Sequence, residues 1–574
     1  MRIVTTHHAG FTYMAILFCA TVLAFTPAKA QEQWEKEGEG EIKDVEIEIT
    51  KERQLTLSRA NRNFEKIPPR PYEPIKPAIH YEFRNLKFST PNFNPTIRPL
   101  RLKQEEISRT YGNFLSGGFG NYSSIFAEGS ATTKRSKDKL LGAAFYLRNF
   151  GSGPVDGSNS ESSTGRFKLF GKSIGSKATV DGDIHFQKKG TYFYGYDPSL
   201  DVGRDKIRQS YEWIGARVGI ENTRVGDYNY QVNAGYSYLH DLYKSSESEF
   251  TLNLASNYKI KEDQFFTLGA DIFLMNYADS LVPGDARRLV RLKPSFGFKP
   301  IKKLQVNAGL NLALQNDAKA GEGNFHVYPN VNAKFDLSPS WNVYWSISGD
   351  MDKVDLHSFV SENLWVLPVL GGRTNTNREI DMMIKIGGKV GRGFMATGGL
   401  AFAKLKDYYF YQNLRDDLNP AAQSVGFVFD KFMVVYDKNT KRLNPFAELS
   451  YSHAEVFNLS FRADYFNYST EVLADAWHRP TYRLDFRARY NIFSKCVVQA
   501  GLISQGGMKA LDPASNAVVS LDQAIDLNLH TRYFISSKVS AFIQLDNLLA
   551  SKYPLYLSYP ARGFQALVGV SWGF

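Results

Sequence analysis

Nine ionisable residues near the carboxyl end stand at alternating positions in three runs: Arg462 and Asp464; Arg483, Asp485, Arg487 and Arg489; Asp526, His530 and Arg532. A period of two puts each run on one face of a β-strand. Such a face lines a water-filled interior, where its arginines favour an anionic solute, or it braces a polar wall with charges of both signs. Other chemistry has less material. Beyond residue 30, His80, His185, His240, His326, His357, His453, His478 and His530 show no i, i+4 pair or other metal-ligand spacing. The stretch from Gly165 to Gly171, Lys172 and Ser173 resembles a phosphate loop, but five residues separate its glycines where that loop needs four. Cys19 and Cys496 are the only cysteines, too few for a disulfide framework or a thiolate cage. No catalytic, cofactor-binding or metal-ligating residue is assigned, no cofactor is expected, and the chain is not expected to be an enzyme.

The elements that must carry the charged row are legible in the rest of the chain. Of 574 residues, 43% are hydrophobic and 14% aromatic, which excludes a disordered polymer. Residues 1–30 read as a secretory signal peptide: Arg2, an apolar run from Tyr13 to Phe25, then Ala28 and Ala30 in the small-residue positions ahead of Gln31. Without Arg2 and Lys29 the basic-to-acidic balance is 67 to 58, spread along the chain with no Lys/Arg block, so no nucleic-acid partner is expected.

Beyond Phe25 no apolar run approaches the length of a transmembrane helix. Period-two segments of about ten residues recur instead. Ala178, Val180, Gly182, Ile184 and Phe186 form one such row, Leu304 to Leu314 another, and Tyr482, Leu484, Phe486, Ala488 and Tyr490 a third. Aromatic residues repeatedly mark segment ends, as at Tyr228, Tyr238, Tyr258, Trp341 and Tyr533, where amphipathic rings suit the headgroup level. The chain stops on the row Phe564, Ala566, Val568, Val570, Trp572 and Phe574. An alternating last strand ending on an aromatic residue is what outer-membrane barrels present to their insertion machinery, and Trp572 and Phe574 carry that signal here. Lipid of the outer membrane of a Gram-negative bacterium is the expected surroundings.

Short polar turns fall at 135–138, 173–176, 222–226, 261–263, 300–303, 337–340, 391–393, 453–455, 491–495 and 536–538. With both barrel ends on the periplasmic side they imply about 22 strands. Longer outer loops fall at 151–163, 196–210, 279–288, 352–378, 413–441, 470–479 and 506–521, with 426–436 a strand extension above the membrane. The expected fold class is therefore all-β: a transmembrane antiparallel β-barrel over 104–574, preceded by a pre-barrel segment, 31–103, acidic and then Pro-rich. Eight prolines from Pro68 to Pro99 forbid continuous helix or central strand there. This irregular periplasmic segment is either a flexible tail or, anchored by Tyr72, Tyr81, Phe83, Phe88 and Phe93, a pore-filling or partner-docking piece.

The stretch Leu545 to Tyr553, then Tyr559, Pro560, Ala561, Arg562, Gly563 and Phe564 and the strand to Phe574, resembles the end of TonB-dependent receptor barrels. Val45, Glu46, Ile47, Glu48, Ile49 and Thr50 resemble a TonB box, the alternative being an ordinary exposed strand. The pre-barrel region is too short for the globular plug of that family. Its Pro-rich lead, followed by Tyr111 to Phe114 and Gly118 to Tyr122, resembles a plugless receptor-like group of the Bacteroidetes type. The resemblance implies solute uptake or channel function across the outer membrane, with TonB as a partner. The alternative reading is a structural scaffold that binds surface lipoproteins or belongs to an outer-membrane assembly machine.

Overall fold

In the computed structural model, residues 111–574 are described apart from 134–135, 281–283, 318–322, 368–371 and 415–430. The chain divides into two units, Met1–Lys103 and Gln104–Phe574. The leader, the pre-barrel segment and Val45 to Thr50 lie outside the described residues.

The alternating segments become long antiparallel strands, each paired with the next, and the sheet closes on itself. Asn113–Gly120 pairs with Ser124–Thr132 on one side and with the last strand, Gln565–Gly573, on the other. Phe457–Tyr465 and Asn467–Ser469 are halves of one strand, both paired with Thr440–His453, so the 23 segments of the sheet form a ring of 22 strands. Closure leaves no edge of unpaired N–H and C=O groups, which is what allows a sheet to stand in hydrocarbon. Among the described residues no helix is long and apolar enough to cross a membrane.

Side-chain direction follows from the pleat. Val180, Ile184, Phe186, Ile214, Val218, Leu484, Val568, Val570 and Trp572 are exposed on the outer surface. A continuous apolar belt of this kind would be costly against water and is the surface expected against lipid tails. At the short-turn rim, Phe394, Tyr451, Phe457 and Tyr490 run across four successive strands with ring centroids 4.3, 6.0 and 6.1 Å apart. These rings form an interfacial girdle.

All ten turns read from the sequence appear at that rim, within two residues of their expected bounds. The opposite rim carries the long connections together with two tight ones, at 121–123 and 242–245. Beyond the seven outer loops expected, that rim also holds 121–123, 242–245, 316–324 and 547–564; the last, the longest of the four, is rich in Leu, Tyr and Pro and does not look like a polar loop. Of the extension expected at 426–436, residues 426–430 lie outside the described residues; Lys431–Asp437 pairs with Tyr408–Leu414 in a two-stranded sheet that continues the paired wall strands Phe394–Lys406 and Thr440–His453 after short breaks at Asp407 and at 438–439. The seam shows why a glycine is needed at one wall position. A Cβ at Gly569 would lie 2.3 Å from the Phe542 ring and 2.4 Å from the Gly117 carbonyl oxygen. Phe542 instead lies over the bare backbone and packs inward with Phe126 and Leu567.

Candidate functional site

The loops of the long rim meet over the barrel mouth. The loop after the fifth barrel strand, Ala178–Tyr192, carries Tyr194; the loop after the thirteenth, Trp341–Asp352, carries Trp365; the loop before the last strand carries Tyr559. Those three positions are about a third of the ring apart, in a barrel roughly 40 Å across. Their rings nevertheless touch, with centroids 5.5 Å apart for Tyr194 and Trp365, 4.4 Å for Trp365 and Tyr559, and 4.9 Å for Tyr194 and Tyr559. Loops from distant arcs can only meet by bridging the opening.

Hydrogen bonds fix the contact. Trp365 Nε1 donates to the Tyr192 carbonyl (3.1 Å), Tyr211 Oη to that of Val366 (3.1 Å) and Tyr194 Oη to that of Pro560 (3.3 Å). Val366 forms a parallel bridge with Phe432, in which Leu367 N donates to Phe432 O at 2.8 Å and Phe432 N to Trp365 O at 3.1 Å. Phe193, Val366, Phe432 and Tyr559 are fully buried. Burying such a side chain contributes about 2–3 kcal/mol. The cap is therefore a folded core, not a set of loose loops.

Its polar groups are also paired. Asp355 caps the short helix Leu356–Glu362 in a reciprocal box with Ser358. Burial alone would raise the Asp355 carboxyl, but Lys353 at 2.7 Å and the Ser358 bonds outweigh it and hold it down to about 2. Glu362 at the other end of the helix pairs with Arg479 and accepts from Tyr409 Oη at 2.9 Å. Next to Arg479, His478 is buried between Phe432 and Tyr556. Its Nδ1 donates to the Tyr411 carbonyl at 2.8 Å and its Nε2 accepts from Leu557 N at 3.4 Å. Burial, helped by the Arg479 charge, pushes the imidazole down to about 4, so it is neutral at pH 7.

Below the cap, the structure brings the sequence-predicted row together on one sector of the inner wall. Asp464 stands opposite Arg483 and Arg462 opposite Asp485, while Gln499 stands between Arg489 and His530. The row borders a cavity of about 650 Å³ lined by Asp485, Arg487, Arg489 and His530. Two pairs within the row neutralise one another, Arg462 with Asp464 (2.8 Å) and Arg487 with Asp485 (2.8 Å), and His530 Nε2 lies 2.6 Å from the carboxylate of Asp546, outside the row. Asp526 accepts from Tyr553 Oη at 3.0 Å, tying the wall to loop 547–564. Arg532 donates to Ser571 Oγ at 3.2 Å, and Arg489 has no carboxylate within 4 Å among the described residues. Trp572 and Phe574 stack at 4.3 Å on the last strand. Gly171 to Gly175 also spells the Gly-x-Ser-x-Gly spacing of a nucleophile elbow. Ser173, however, lies in an antiparallel pair opposite Lys139 and Val180, not at a strand-to-helix turn.

No protein-family profile and no curated protein matches the chain. Solved structures do. The FrpB iron transporter from Neisseria meningitidis superposes with a TM-score of 0.64 at 10% identity, covering 82% of this chain and 82% of that one. The siderophore receptor PirA from Pseudomonas aeruginosa gives 0.58 at 12% identity, covering 80% of each chain. The pyoverdine outer membrane receptor FpvA from Pseudomonas aeruginosa PAO1, bound to pyoverdine, gives 0.60 at 12% identity, covering 82% of this chain and 79% of its own. This chain has their fold. The receptor-type barrel implied by Leu545 to Phe574 is thus the architecture found.

That loops gate the barrel is an expectation of the transport reading; that they pack into one folded cap is not legible in the strand alternation. Its signal is aromatic density beyond the strand ends, at Tyr192 to Tyr196, Leu364 to Leu367, Tyr408 to Tyr411 and Tyr553 to Tyr559. Loops that only face water have no need of such residues.

Proposed function

We propose that this chain is a gated solute-uptake barrel of the Gram-negative outer membrane, of TonB-dependent receptor-like type and plugless, shut at rest by its extracellular cap. One observation carries the reading: Tyr194, Trp365 and Tyr559 meet over the mouth within 4.4–5.5 Å of one another. A general porin keeps its channel open; a receptor admits a chosen solute after its loops rearrange. The outer apolar belt and the girdle support the membrane setting, and the fold shared with an iron transporter and siderophore receptors supports uptake. In this reading Val45 to Thr50 engage TonB, Trp572 and Phe574 address the insertion machinery, and the row from Arg462 to Arg532 selects among anionic solutes. No step of catalysis is placed on the chain.

The test is conductance of the mature protein in planar bilayers. The native chain is expected to stay closed, and the Trp365→Ala, Tyr559→Ala double variant to show stepwise openings. A native channel that conducts freely would overturn the reading. So would a double variant that remains closed even after residues 31–103 are removed.

A further inference from the structure

Most basic side chains of the inner wall are matched by acids that the register delivers. Arg217 is held by Asp181 at 2.6 Å and Asp183 at 3.0 Å, and Arg291 by Asp271 at 2.8 Å and Asp350 at 3.4 Å. Arg489 and Arg532 stand apart from this pattern singly; one sector under the cap breaks it with a cluster. In the strands Lys139–Phe150, Ser162–Ile174 and Ala178–Tyr192, Thr164 stands between Arg148 and Lys189, and Arg166 lies two residues along from Thr164. The outward neighbours Leu147 and Phe167 are exposed on the belt, so these three cations face the lumen. Their Cα atoms fall within about 10 Å of one another.

Loop 547–564 adds a fourth. The Arg562 guanidinium lies 4.2 Å from the centroid of the Phe150 ring, which the Arg148 guanidinium also approaches at 5.0 Å. Arg562 is positioned by its backbone, whose carbonyl accepts from Asn547 Nδ2 at 2.7 Å. Its Nη2 donates to Ser162 Oγ at 2.7 Å, and its buried Nε has no acceptor among the described residues. Only Arg148 has an acid, Asp546 at 3.7 Å, and that carboxylate is shared with His530. No carboxylate lies within 4 Å of Arg166, Lys189 or Arg562 among the described residues; Glu128, opposite Tyr146, reaches none of them. Arg148, Lys189 and Arg562 are half-buried and Arg166 is exposed to the lumen; cations brought this close, three of them partly stripped of water, are costly unless an anion joins them. Guanidinium forks match the paired oxygens of a carboxylate or phosphate.

We propose that Arg148, Arg166, Lys189 and Arg562 form a binding site, on the lumen side of the cap, for a solute bearing carboxylate or phosphate groups. The site deepens the uptake reading and rests on it for its purpose, but its test is equilibrium binding and needs no flux. The full mature chain in detergent is titrated calorimetrically with citrate, with inorganic phosphate and with glucose as the uncharged control. Saturable binding of at least one anion is expected, with none of glucose. The Arg166→Gln, Lys189→Gln pair and Arg562→Gln should each weaken it about tenfold or more, whereas Arg392→Gln on the far rim should leave it unchanged. The inference is overturned if neither anion saturates, if the wall pair binds like the native chain, or if Arg392→Gln weakens binding as much. Should Arg562→Gln fail to fold, the wall pair alone decides. Anion binding with no flux through an opened cap would sink the uptake reading and keep the site; flux without anion binding would do the reverse.

Discussion

The barrel wall and the cap are both rich in aromatic side chains, yet they are stabilised in opposite ways. In the wall each strand pairs with a neighbour close in sequence, and rings such as Phe394 and Tyr451 lie on an outer surface where every second residue is apolar. In the cap, rings from loops far apart in sequence pack edge and face around Trp365 and bury themselves from water on all sides. Backbone pairing holds the wall and would survive the loss of most single side chains; side-chain packing holds the cap and would not. The gating proposed above draws on that difference: a cap held by side-chain packing can melt or shift while a wall held by backbone pairing stays closed.

The largest expected effect breaks the wall. Gly569→Val places branched carbon against the Phe542 ring and the Gly117 carbonyl in the strand that closes the ring, and assembly should fail, read as loss of the compact, heat-modifiable form on gels. Next is the cap. Trp365→Ala empties the centre of its core and should cost about 3–5 kcal/mol locally. Hydrogen exchange should rise across 353–375 and 547–564, with the wall strands unchanged. If wall protection falls equally, cap and wall are one cooperative unit rather than two.

A pH effect should separate the two regions further. Unfolded His478 takes a proton near 6.5 and the buried ring only near 4, so between those values the open cap binds more protons than the closed one. The contribution of His478 is fully present above about pH 6.5 and declines as pH falls toward 4, by on the order of 3 kcal/mol. Cap protection factors, taken relative to the intrinsic exchange rate at each pH, should therefore fall at pH 5 compared with pH 7.5, and His478→Gln should flatten the response. The smallest effect belongs to the wall's solvated charges: Arg462→Gln, which loses half-exposed pairs to Asp464 and Glu448, should change thermal stability by about 0–1 kcal/mol.

The cationic sector and the sequence-predicted row show where reading the chain stops. Arg483, Asp485, Arg487 and Arg489 are on one strand, so their shared face is visible as alternation. Arg483 and Arg487 find their acid, Asp485, on that same face, whereas the carboxylate that meets His530, Asp546, comes from the next strand and has no spacing to announce it. Arg148 and Arg562 have no spacing to betray them: Arg562 donates to Ser162, 400 residues earlier.

Alternation, turn residues and the aromatic carboxyl terminus sufficed for the strand number, the ten short turns and the choice of lipid-facing side chains, since each depends on residues within one hairpin. Ring closure decided the rest. Only when the first strand meets the last do distant loops come within reach over one mouth, and only then do the charges of separate strands add to a field or cancel within it. Packing and electrostatics act through space, and the order of residues along a chain records neither until the backbone has brought them together.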